Sequence, residues 1–159
     1  MKPFLRFCYN TALAFWLGAT IFFFLILVKL FNVLPAEAGH AASVMFPIYY
    51  VTGTYCAVVA LVASLFLALS GWTRSRLKRL LPLFLVVAMA GVNYYAGWVV
   101  LPEAKAVQVR IVENKGSQAD IAQNRKRFQE LHRLSTQLFG TVIILLAFAL
   151  IVSLIALRF

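Results

Sequence analysis

Few side chains in this chain are equipped for chemistry, and they gather at one level if its apolar stretches are antiparallel helices. His132 precedes an apolar stretch that starts near Thr136, and Glu103 follows one that ends at Leu101. Asn93 lies about two to three turns deeper on the helix of Glu103, and Tyr49 and Tyr50 occupy the matching part of another. An imidazole, a carboxylate, an amide and two phenols meeting there would form a polar pocket for a small ligand or a metal species, with His132 as metal ligand. The same groups would serve equally as a hydrogen-bonded latch between helices two, three and four. His40 shares that end, and two imidazoles flanking one iron would hold a haem in a four-helix bundle. No second histidine lies at bilayer depth, so interfacial polar roles are the plainer reading of both.

No phosphate-binding glycine loop, nucleophile elbow, zinc-protease helix or dinucleotide fingerprint is present, and no residue is singled out as catalytic. The reading is non-enzymatic. Cys8 and Cys56 are too few and too far apart for a metal motif or a disulfide framework, and both sit in apolar runs.

The elements that must position these groups follow from composition. Of 159 residues, 63% are hydrophobic and 13% charged, against roughly 45–50% and about 25% in a soluble domain. A water-soluble fold of this size could not hide that much apolar surface. Apolar runs cover about 7–34, 41–70, 80–101 and 136–157, each long enough for a hydrocarbon core of about 30 Å. The first lacks a small-x-small cleavage site and reads as a retained helix. The expected fold is all-α, a single integral membrane domain over 1–159, built as an antiparallel up-down four-helix bundle. A polar helical hairpin over about 102–135 extends helices three and four beyond the membrane. Ile121, Phe128, Leu131 and Leu134 give it helical periodicity, Lys115-Gly116-Ser117 a break, and Ser117 with Asp120 a variant capping box.

Gly53, Ala57, Ala60, Ser64 and Ala68 recur at three- and four-residue spacing and predict a helix-packing seam. Pro47 is expected to kink helix two or mark its first turn, and Pro35–Gly39 to connect helices one and two. The net charge of +10 raises nucleic acid as a partner. The cations, however, sit at the ends of apolar runs as headgroup anchors, so the partner is the lipid bilayer, with a homo-oligomer or a membrane protein as further candidates. Arg74, Arg76, Lys78 and Arg79 crowd the loop between helices two and three, and place both termini on the cytoplasmic side of a cell membrane, inner or plasma. Val33-Leu34-Pro35 and Val100-Leu101-Pro102 form a weak internal echo, as an ancient duplication or chance would leave.

The ordered set Trp16-Leu-Gly18, Gly39, Met45-Phe-Pro-Ile-Tyr49-Tyr50, Asn93, Leu101-Pro102-Glu103, Phe128 and Leu131-His132-Arg-Leu-Ser135 resembles the transmembrane protein 205-like family. That family comprises four-helix membrane proteins catalogued as a domain of unknown function. The resemblance touches Phe46, Pro47, Asn93, Pro102, Glu103, Phe128, His132 and Ser135 but leaves out His40, which weakens the haem idea. It implies an association of eukaryotic relatives with platinum-drug resistance and secretory traffic, and no catalytic mechanism. The connection between helices three and four is shorter here than in animal relatives. The functional expectation is a protein that binds or moves a small solute or metal species through a pocket in the outer half of the bundle. A haem-bearing redox protein and a non-catalytic scaffold or assembly factor are the alternatives.

Overall fold

The computed structural model describes residues 2–70, 76–113 and 118–156, and the side chains of all of these except 35–38, 40, 76–79 and 156. Every described residue but Leu34 and Ser70 is helical: α1 (Lys2–Val33), α2 (Pro35–Leu69), α3 (Arg76–Tyr95), a π-helical segment (Ala96–Val100), α4 (Leu101–Glu113) and α5 (Gln118–Ala156). Four stretches are long and apolar enough to cross a membrane: Lys2–Val33, Ala41–Leu69, Leu80–Glu113 and Gln118–Ile155. The third runs from α3 through the π segment into α4. The chain is a multi-pass membrane protein with the all-helical bundle that its composition dictates.

The helices form a ring in which α1 packs on α2, α2 on α3, and α5 on both α3 and α1. On α1 the buried face is Tyr9, Ala12, Leu13, Trp16, Thr20 and Phe23, steps of three and four that trace one stripe of a helix. Phe15, Phe22 and Phe24 are exposed on other faces, where lipid tails would receive them. Because lipid is as apolar as leucine, helices in a membrane associate through close packing and interhelical hydrogen bonds. The small residues of α2 serve the first purpose: Gly53, Ala57, Ala60, Ser64 and Ala68 are all buried, as are Cys56 and Ala63 beside them.

Two local features depart from the sequence reading. Pro35–Gly39 is the opening of α2 rather than a connection, so Leu34 alone joins α1 to α2. Proline favours a first helical turn because its missing N–H would lack a partner there and its φ is already helical. For the same reason Pro47, more than three turns into α2, does not mark its first turn. The second departure is the π segment, where the backbone N–H of Leu101 bonds the carbonyl of Ala96, five residues back. The proposed break at 115–117 and the backbone at 71–75 lie outside the described residues.

Candidate functional site

Deep in the bundle, neutral polar groups from three helices meet around Gly53. Asn93 of α3 is almost fully enclosed at 2% exposure. Its Nδ2 donates to the backbone carbonyl of Tyr50 at 3.2 Å and to Thr54 Oγ1 at 3.3 Å, while Thr54 Oγ1 donates to that same carbonyl at 2.8 Å. On α1, Thr20 Oγ1 donates to the Trp16 carbonyl at 2.7 Å, which commits its proton. The Tyr49 hydroxyl, 3.3 Å away, therefore donates to Thr20, and its own oxygen keeps room to accept. Tyr50 reaches toward Ser135 of α5.

Two atoms in this layer have no hydrogen-bond partner: Trp16 Nε1 and Asn93 Oδ1. The indole N–H lies near the Tyr49 hydroxyl but forms no well-aligned bond with it. Both orphans face Gly53, where an added Cβ would stand 2.7 Å from Asn93 Oδ1 and 2.9 Å from Trp16 Nε1. Glycine is thus required at that close approach. Gly97 of the π segment plays the same part against Tyr50, whose Cγ and Cβ lie 2.8 Å and 2.9 Å from the place a Cβ would take.

Apolar layers bracket the cluster. Toward the hairpin end, Phe23 stacks on Tyr49 with ring centroids 4.9 Å apart, and Phe46 and Phe139 complete the group. Toward the other end, Leu13 and Met89, both with no exposed surface, sit one turn below Trp16 and Asn93. Beyond them come Tyr9, buried with its hydroxyl unpaired, and a 2.6 Å bond from Ser153 Oγ to Asn10 Oδ1 that ties α5 to α1.

The structure divides the constellation that the sequence suggested. Asn93, Tyr49 and Tyr50 come together in the buried layer. Glu103 does not join them: it follows Asn93 by ten residues of continuous helix, about 15 Å. There its Oε1 receives Arg127 Nη2 at 2.6 Å and Nε at 3.0 Å, and Glu130 takes the remaining arm at 3.4 Å. Hydrogen bonding to Glu103, reinforced by its charge, raises the Arg127 pKa above its ordinary value. His132 is exposed and stacks on Phe128 with centroids 6.4 Å apart. The buried position on that turn of α5 is Leu131, one residue or about 100° away, which is why the imidazole misses the interior. The side chain of His40 lies outside the described residues. Among the described residues no three histidine, cysteine, aspartate or glutamate side chains group as a metal site.

A second feature lies between α4 and α5, beyond the apolar run. It is a cleft of about 570 Å³ lined by Glu103, Ala106, Val107, Arg110, Gln123, Asn124, Lys126, Arg127 and Glu130. Sequence reasoning singled out Glu103, but for a pocket with His132, Asn93 and the two tyrosines, and it did not single out Arg110, Lys126 or the two amides. Nor did it single out Trp16 and Gly97 as parts of the interior layer.

Residues 11–111 match a family described as a domain of unknown function (DUF4149). No curated protein and no solved structure matches the chain.

Proposed function

This chain belongs to the DUF4149 family, a domain to which no function is attached, and from its geometry we propose that it binds a small anionic solute in the cleft between α4 and α5. The carrying observation is the balance of the cleft's lining. Arg127 engages both Glu103 and Glu130, whereas Arg110 and Lys126 are unpaired among the described residues. With the donors of Gln123 and Asn124, the uncommitted polar groups are suited to a carboxylate or phosphate. The volume falls within the few hundred cubic ångströms that small-molecule sites occupy. Arg110 follows Leu101 by nine helical residues, about 13 Å, so a ligand there would meet the protein above the hydrocarbon.

Binding fits this reading better than movement across the membrane, because the packed layer at Leu13 and Met89 interrupts the buried polar groups. The density of Arg74, Arg76, Lys78 and Arg79 between the second and third apolar runs, the last three of them in the first turns of α3, supports a cleft on the non-cytoplasmic side. The segments Met45–Tyr50, Leu101–Glu103 and Leu131–Ser135 support kinship with the transmembrane protein 205-like proteins.

The test is a thermal-shift titration of the protein in mild detergent with glycerol 3-phosphate and with citrate. A saturable rise in Tm is expected for at least one probe, approaching about 2.7 kcal/mol of stabilisation at a hundred times Kd. The double variant Arg110→Ala/Lys126→Ala should lose most of the rise. No rise with either probe, or an equal rise in the double variant, would refute the proposal.

A further inference from the structure

We infer that the anion held between α4 and α5 is the phosphate of a membrane phospholipid with a neutral alcohol headgroup, such as phosphatidylglycerol, whose tails run down the lipid-facing side of α5. The inference rests on the proposed anion site and names its occupant. The lining of the cleft sets the charge: three cations, Arg110, Lys126 and Arg127, stand against two acids, Glu103 and Glu130, which leaves one net positive charge. A phosphodiester carries one negative charge and neutralises it. A zwitterionic headgroup would bring a further cation to a site whose two carboxylates are already held by Arg127. Gln123 and Asn124 supply amides for the hydroxyls of a glycerol headgroup.

A free phosphate ester shares that chemistry, and position separates the two. Tyr94 and Trp98, 62% and 61% exposed, stack on the third span with ring centroids 6.3 Å apart, the amphipathic pair that settles at a membrane–water interface. Glu103 follows Trp98 by five residues, about 7 Å, and Arg127 reaches it directly. The headgroup layer is about 5–8 Å deep on each side of the hydrocarbon. The lower rim of the cleft therefore stands at the level of lipid phosphates, with Arg110 two turns above it. Below that rim the site continues into lipid. From Glu130, steps of four and three lead to Leu134, Gln137, Thr141, Ile144 and Phe148, one stripe of α5 on which none is buried. Ile144 and Phe148 are apolar, and Thr141 commits its hydroxyl to the Gln137 carbonyl at 2.8 Å. The Gln137 amide, the polar group of the stripe nearest the rim, is left for the lipid's ester groups. A soluble anion would use the rim and leave this stripe idle.

The experiment is a thermal-shift titration of the full-length protein in mild detergent with three probes: dihexanoyl phosphatidylglycerol, its deacylated headgroup glycerophosphoglycerol, and dihexanoyl phosphatidylcholine. Phosphatidylglycerol is expected to raise Tm saturably, with half-saturation at a concentration about tenfold or more below that of glycerophosphoglycerol, the advantage that burying two methylenes gives. Phosphatidylcholine, which enters the micelle equally but has no net headgroup charge, should give little rise. Arg110→Ala/Lys126→Ala should lose most of the phosphatidylglycerol effect. Equal potency of phosphatidylglycerol and glycerophosphoglycerol would overturn the lipid assignment and leave a site for soluble anions. An equal rise with phosphatidylcholine, or an undiminished rise in the double variant, would also overturn it. No rise with phosphatidylglycerol, where glycerol 3-phosphate or citrate gives one, would sink this inference alone; no rise with any probe would sink the anion site as well. Should the double variant not fold, the phosphatidylcholine comparison decides.

Discussion

Replacing Gly97 by alanine tests whether the close contact between the π segment and α2 governs stability. In an open helical site the exchange is favourable, by about 0.5–1 kcal/mol, because alanine has the higher helix propensity. At Gly97 the new methyl would stand 2.8 Å from Tyr50 Cγ and 2.9 Å from Tyr50 Cβ. The β-carbon is fixed to the α2 backbone, so no rotamer of Tyr50 relieves the clash and the two helices must part. Overpacking of a well-filled interior costs roughly 1–3 kcal/mol. Set against the propensity gain, Gly97→Ala should destabilise the bundle by about 1–2 kcal/mol, a factor of roughly 5–30 in the folded-to-unfolded ratio. Gly18, Gly91 and Gly140 have nothing within 4 Å of the corresponding position and provide the controls. Their alanine variants should match or exceed the parent protein. The assay is reversible unfolding in mixed micelles by titration with sodium dodecyl sulfate, followed by far-ultraviolet circular dichroism. A Gly97→Ala protein as stable as the parent, or a Gly91→Ala protein equally damaged, would refute the reasoning.

Two further substitutions probe other contacts. Ser153→Ala removes the 2.6 Å hydrogen bond from α5 to Asn10 of α1, and should cost about 0.6 kcal/mol and no more than about 1.7, measured by the same unfolding titration. His132→Ala removes an exposed imidazole that stacks on Phe128; unfolding midpoint and cleft binding should both stay at parental values, and loss of binding would return His132 to the site.

The membrane bundle was legible because its signal is summed over whole helices: four apolar runs of more than twenty residues leave one solution. The small-residue positions on α2 could be read because their spacing alone distinguishes them from the larger residues between. The interior layer was only half legible. Asn93 announces itself as an amide in an apolar run, but Trp16 on a helix rich in phenylalanine looks like any lipid-facing aromatic until the phase of its stripe is known. Gly97 gave no warning either, since its role depends on a π segment, and Ala-Gly-Trp-Val-Val carries no motif for that geometry. His132 and Glu103 were grouped with Asn93 by depth alone. Depth on an antiparallel bundle says nothing of azimuth, and one residue of phase turned His132 outward, while ten residues at about 1.5 Å each carried Glu103 beyond the interior layer.

The leucine and methionine packed one turn below the tryptophan and asparagine have an electrical consequence. The asparagine layer on one side and the tyrosine hydroxyl buried farther along on the other are separated by side chains with no exposed surface, so a charge passing between them would have to cross hydrocarbon.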